Sequence, residues 1–136
     1  MRGFGAALLL GLAGCTPLHS QSECLVAGQR PMIVTELFFG REIPGRAPLS
    51  DEEWARFVAQ IVTKEFPAGF TVIDGNGQWF DPTTHTITGE RTKIVILAAV
   101  PAPDLTGRIL RVRDAYRRLF HQNSVGVLTH TACGEF

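Results

Sequence analysis

Apolar residues in this 136-residue chain recur with two different periods, and the switches between them outline a domain. Residues 32–40 are β-branched and aromatic, which predicts a first strand. Pro44, Gly45 and Pro48 mark the loop after it. A first helix then opens at Ser50. Ser50 and Glu53 have capping-box spacing, and Leu49 and Trp54 sit where a hydrophobic staple would close over it. Trp54, Phe57, Val58, Ile61 and Val62 follow at i, i+3, i+4, i+7 and i+8 as one apolar stripe, until Pro67 stops it. Residues 70–80 predict a second strand, interrupted at Gly75-Asn76-Gly77, and Asp81-Pro82-Thr83-Thr84 predicts a turn. A third strand follows over 86–100, apolar enough from Lys93 onward to be central. After Pro101 and Pro103 a second helix is expected over about 104–122, burying Leu105, Ile109, Val112, Tyr116, Leu119 and Phe120. Residues 124–132 give the fourth strand.

This β-α-β-β-α-β order predicts an α+β fold, a ferredoxin-like sandwich with a four-stranded antiparallel sheet and two helices on one face. A sheet with one wet face alternates apolar and polar residues. The first and third strands do not. Ile33, Val34, Leu37, Phe38 and Phe39, then Ile94, Val95, Ile96 and Leu97, put apolar groups on both sides. The second face therefore calls for a cover: a homodimer partner, the long 75–92 hairpin, or the N-terminal segment folding back.

The N-terminal segment carries its own signal. Arg2 precedes an apolar run over 3–14, and Leu12-Ala13-Gly14-Cys15 resembles a bacterial lipobox. The run is shorter than the roughly 20 residues that span a bilayer as a helix. Its glycines Gly3, Gly5, Gly11 and Gly14 are poor for a buried core helix. The expectation is a signal peptide over 1–14, lipidation at Cys15, a tether over 15–31 and a folded domain over 32–136. The membrane is then a partner through the anchor. Thr16, where Asp would favour retention in the inner membrane, points to an outer-membrane lipoprotein on the periplasmic side. With Cys15 taken by lipid, Cys24 and Cys133 remain, and an oxidising compartment favours their disulfide. In the predicted topology the first strand lies antiparallel to the fourth, which brings these two cysteines together.

Charge adds an exclusion. Thirteen basic residues balance thirteen acidic ones, so no global field points to nucleic acid. Helix two carries Arg108, Arg111, Arg113, Arg117 and Arg118 against Asp114. Such a face suits phosphate, lipid headgroups or anionic glycan, and equally a solvated outer face with arginine stems packed along its edges.

Candidate chemistry is sparse. Asp74-Gly75-Asn76-Gly77 invites a calcium-loop reading, but Val72 and Thr83 stand where two ligands are required. A glycine bulge or kink in the hairpin is the better reading. His19, His85, His121 and His130 lack zinc-enzyme spacing, although His130 on strand four could face Glu36 on strand one. No G-x-S-x-G, phosphate loop or C-x-x-C occurs, so neither metal nor cofactor is expected. The densest polar group is Asp74, Gln78, Trp79 and Glu90 on facing strands, with Arg41 at the end of strand one. Two carboxylates and an arginine suit acid–base work or ligand orientation, and Trp79 suits stacking on a sugar or aromatic ring. The alternative is a structural network.

At these residues the chain resembles a family of small uncharacterised bacterial lipoproteins, the domain of unknown function 3574. The resemblance rests on Thr35-Glu-Leu-Phe-Phe-Gly-Arg41, Phe66-Pro-Ala-Gly-Phe-Thr-Val-Ile-Asp-Gly-Asn-Gly-Gln-Trp79, Gly89-Glu-Arg-Thr92 and residues 116–125. It implies a secreted or lipid-anchored ferredoxin-like domain and brings no established activity. The expectation is a lipid-anchored envelope domain of unknown activity that binds a ligand or partner or supports envelope structure. The alternative is an enzyme of the dimeric α+β barrel type, its pocket between the sheet and the 70–100 hairpin and lined by Glu36, Arg41, Asp74, Trp79 and Glu90.

Overall fold

The computed structural model describes residues 24–136. The signal peptide, Cys15, Thr16 and most of the expected tether lie outside the described residues. The elements are β1 (Arg30–Gly40), α1 (Asp51–Phe57), β2 (Thr71–Asp81), β3 (Thr86–Ala99), α2 (Leu105–Phe120) and β4 (Gly126–Gly134). They form an α+β arrangement of one four-stranded sheet, ordered β2-β3-β1-β4, with every pair antiparallel. This arrangement is compatible with the ferredoxin-like sandwich expected from the element order.

β1 begins at Arg30, so the domain starts before residue 32. Pro31 pairs with Cys133 on β4, and Cys24 forms a disulfide with Cys133, their Cα atoms 5.6 Å apart. The last part of the expected tether is therefore tied to the sheet.

α1 opens as its sequence predicts. Glu53 N donates to Ser50 Oγ at 3.2 Å, and Ser50 N donates to Glu53 Oε2 at 3.0 Å. The regular stripe then gives way. α1 runs on into a π-helical segment (Val58–Val62) and a last α turn (Thr63–Glu65). Phe57 and Val62, five residues apart, are both buried. A wide turn brings both onto the core, and Phe66 follows four residues later at 3 % exposure.

Both helices cover the same face of the sheet. Leu37 and Phe39 of β1 and Val95 and Leu97 of β3 meet Trp54, Phe57, Val112 and Tyr116 in one buried cluster. Phe39, Phe57 and Tyr116 stack edge to face, with ring centroids 4.7–5.7 Å apart. Leu119, expected in this cluster, is 57 % exposed, because it falls beyond the edge of the stripe that buries Val112 and Tyr116. α2 ends at His121, whose left-handed backbone (φ 51°) turns the chain toward β4.

The β2–β3 ladder keeps one register from Thr71↔Ile96 to Asp81↔Thr86. The expected interruption or bulge at Gly75-Asn76-Gly77 is absent. Extended glycines pair as any residue does, and a Cβ at Gly75 would press on Ile94 at 3.1 Å. The other sheet face carries half-buried Val34, Phe38, Ile94, Ile96 and Ala98, as the unbroken apolar runs of β1 and β3 imply. His130 stands opposite Val34, not Glu36, and Glu36 is opposite Leu128.

Candidate functional site

The five polar candidates divide between the two faces of the sheet. Asp74 pairs with Lys93 on the helix-covered face, and Gln78 has the same parity. There Arg41 and Lys93, 4 % and 8 % exposed, share the Asp51 carboxylate at 3.0 and 3.4 Å. Lys93 also holds Asp74 at 2.6 Å. Arg41 Nε donates to Leu49 O at 2.9 Å, while Leu49 N donates to Arg41 O at 2.8 Å. This network fixes the 41–49 loop over the start of α1. Hydrogen bonding from Lys93, then the charge of Arg41, holds the Asp51 carboxyl below the usual aspartate range. Arg41 and Asp74 thus serve as structure, and the expected convergence of all five residues does not occur.

Trp79 and Glu90 lie on the opposite, open face and line a cavity of about 580 Å³. Its floor is sheet: Phe38 and Gly40 of β1, Thr92 and Glu90 of β3, and Gly126 of β4. Trp79 walls one side and is half exposed. The other walls are two loops, Glu42-Ile43-Pro44 after β1 and His121-Gln122-Asn123-Ser124 after α2. The cavity therefore lies at one end of the sheet, between sheet and loops, with the hairpin supplying Trp79 and Glu90. Glu36 is on this face but is not part of the lining.

Local geometry sets the Glu90 side chain. A Cβ on Gly40 would collide with the Glu90 carboxylate, so the glycine leaves it room. Glu90 Oε1 accepts from Glu42 N at 2.9 Å. The Tyr116 hydroxyl, reaching out of the aromatic core, donates to Gly40 O at 2.7 Å. Burial, and then the negative charge of Glu90, push the Tyr116 hydroxyl pKa well above its ordinary value, so it remains a donor. Gln122 Nε2 donates to Glu42 O and ties the two loops together.

The lining contains two carboxylates, Glu42 and Glu90, and no lysine or arginine. Such a surface accepts hydrogen bonds from hydroxyl or amine donors and presents an indole and a phenyl ring for stacking. It disfavours anions. Among the described residues no three His, Cys, Asp or Glu side chains are grouped to hold a metal ion.

Sequence reasoning missed Phe38, the 42–44 loop and the 121–124 loop. The antiparallel pairing of β1 with β4 was the signal for the loops, since it sets the turn before β4 beside the end of β1.

A family model described as a protein of unknown function (DUF3574) matches residues 34–136. The chain belongs to this family. The match runs from within β1 through β4, and so includes Trp79, Glu90 and both cavity loops. No curated protein matches the chain. Among solved structures, a phage SAM lyase in complex with S-methyl-5′-thioadenosine superposes with a TM-score of 0.56 at 16 % identity, over 86 % of this chain and 98 % of that one. A phage SAM lyase in its apo state gives 0.54 at 17 %, over the same shares. At such identities the likeness of this DUF3574 member to them is one of fold.

Proposed function

We propose that this DUF3574 protein is an envelope lipoprotein whose domain binds a small, uncharged or cationic ligand with a flat ring and hydroxyl or amine donors. The observation that carries this reading is the open-face cavity. Its volume of about 580 Å³ falls within the range of small-molecule sites. Its lining combines Trp79 and Phe38 with Glu42 and Glu90, contains no lysine or arginine, and has His121 as its one basic side chain. Sugars and nucleosides have this chemistry, and the phage lyase's S-methyl-5′-thioadenosine supports including a nucleoside among the probes. The lipobox-like Leu12-Ala13-Gly14-Cys15 and the Cys24–Cys133 disulfide support the envelope address.

The test uses Trp79 as its own reporter. A Trp54→Phe background leaves Trp79 as the one remaining tryptophan of the two in the chain. The full-length chain in detergent is titrated with S-methyl-5′-thioadenosine and with neutral and anionic oligosaccharides. A saturable change for a neutral or cationic ring, lost in Glu90→Gln, is expected. Preference for the anionic probes would contradict the reading. An enzyme of the dimeric α+β barrel type is the second reading, favoured by the fold shared with a lyase; turnover of the bound probe separates it from binding alone.

A further inference from the structure

The outer side of α2 carries a second concavity, a groove of about 410 Å³ lined by Arg113, Asp114, Arg117, Arg118 and Gln122. Its charge is unbalanced. Arg113 Nε donates to Asp114 Oδ1 at 2.8 Å, and Arg117 lies 4.0 Å from the same oxygen. Three guanidiniums thus line the groove with one carboxylate, and two of them contact it.

Four other arginines have structural duties. Arg108 donates to Glu65 O and lies over the Phe66 ring, and Arg111 grips the Glu65 carboxylate at 2.9 and 2.8 Å. Arg41 and Arg46 likewise hold Asp51 and Glu53. Each of these contacts ties two segments together. Among the described residues, no hydrogen bond or ion pair joins Arg113, Arg117 or Arg118 to another element. The negative end of a helix attracts cations, which accounts for arginine in the last turn. It does not account for three of them around a concavity.

We propose that this groove is an oxyanion site for a phosphoryl group, either on a free phosphate ester or on a lipid headgroup. Planar guanidinium forks match phosphate oxygens two at a time, and one carboxylate leaves the groove with net positive charge. Gln122 lines both the groove and the acidic cavity. The two sites therefore adjoin with opposite polarity, and the groove stands whatever the cavity takes.

The test uses the full-length chain in neutral detergent at low ionic strength. Pyrophosphate binding is measured by calorimetry, and co-sedimentation is measured with phosphatidylglycerol and with phosphatidylcholine vesicles. The groove variant is Arg117→Ala with Arg118→Ala, both exposed helix positions that alanine suits. Arg30→Ala with Arg56→Ala removes equal charge elsewhere. The groove variant should bind about tenfold more weakly, the control unchanged. Pyrophosphate binding that the groove variant loses assigns a free phosphate ester. Extra sedimentation with phosphatidylglycerol, lost in that variant, assigns a headgroup. Equal weakening by both variants, or no anion dependence in either arm, overturns the proposal.

Discussion

At the scale of single residues, Gly40 links the core to the cavity. Tyr116 holds its carbonyl, and its missing side chain leaves room for Glu90. Gly40→Ala should displace Glu90, free the Glu42 amide and cost about 1–3 kcal/mol, read by denaturant unfolding together with loss of ligand response. Thr35 is a separate case. Its hydroxyl is buried in the core, and among the described residues its oxygen has no partner. Thr35→Val should raise stability by about 1 kcal/mol in the same assay. Asp51 sets a pH dependence. Its carboxyl sits below the ordinary value of 3.8 in the fold, so its contribution is complete above that value and is lost as pH falls further. Asp51→Asn should flatten the acid limb of a stability–pH curve below about pH 4; an unchanged limb would remove Asp51 from the account. Part of the site was legible at this scale: Trp79 and Glu90 line the cavity, while Arg41, Asp74 and Gln78 do not. Asp74 and Trp79 are five residues apart on one strand, and an odd separation places them on opposite faces. The parity that splits the polar group follows once the β2–β3 ladder is unbroken; the bulge expected at Gly75-Asn76-Gly77 would have shifted it by one residue. The course of the 42–44 and 121–124 loops was not, because loop paths depend on tertiary contacts such as Gln122 to Glu42.

At the scale of elements, periodicity and caps located every helix and strand to within a few residues. The Ser50–Glu53 capping box formed as spaced. Ser50→Ala should cost about 1 kcal/mol and leave the fold intact, measured by thermal unfolding followed in the far ultraviolet. The π-helical segment was hidden. Val58, Ile61 and Val62 satisfy an α stripe as well as a π turn, and the packing of Phe57 and Val62 against the sheet decides between them. Gly75 and Gly77 misled in the opposite direction. Two glycines signal a break, yet the β2–β3 ladder, paired over the full length of β2, holds them in register.

At the scale of the whole molecule, the chain order sets the geometry. β1 in the centre of the sheet begins beside Cys133 and ends at the cavity. The disulfide and the candidate site therefore lie at opposite ends of one strand. The crosslink closes a sequence separation of 109 residues. A Cys24→Ser chain should lose on the order of 4–5 kcal/mol by the chain-entropy argument while keeping its ligand response whenever it is folded. Global order was legible because hydrophobic period and turn residues act locally. Ligand chemistry was less so, since the cavity draws on three strands and two loops far apart in sequence. The claim that the Trp79–Glu90 cavity holds a neutral or cationic ring ligand has one direct test: native mass spectrometry of the full-length chain purified from the cells that make it. The account predicts a bound small molecule of that class on the wild type that is absent from Glu90→Gln. A wild type that carries no such molecule, or a variant that retains it, would contradict the account.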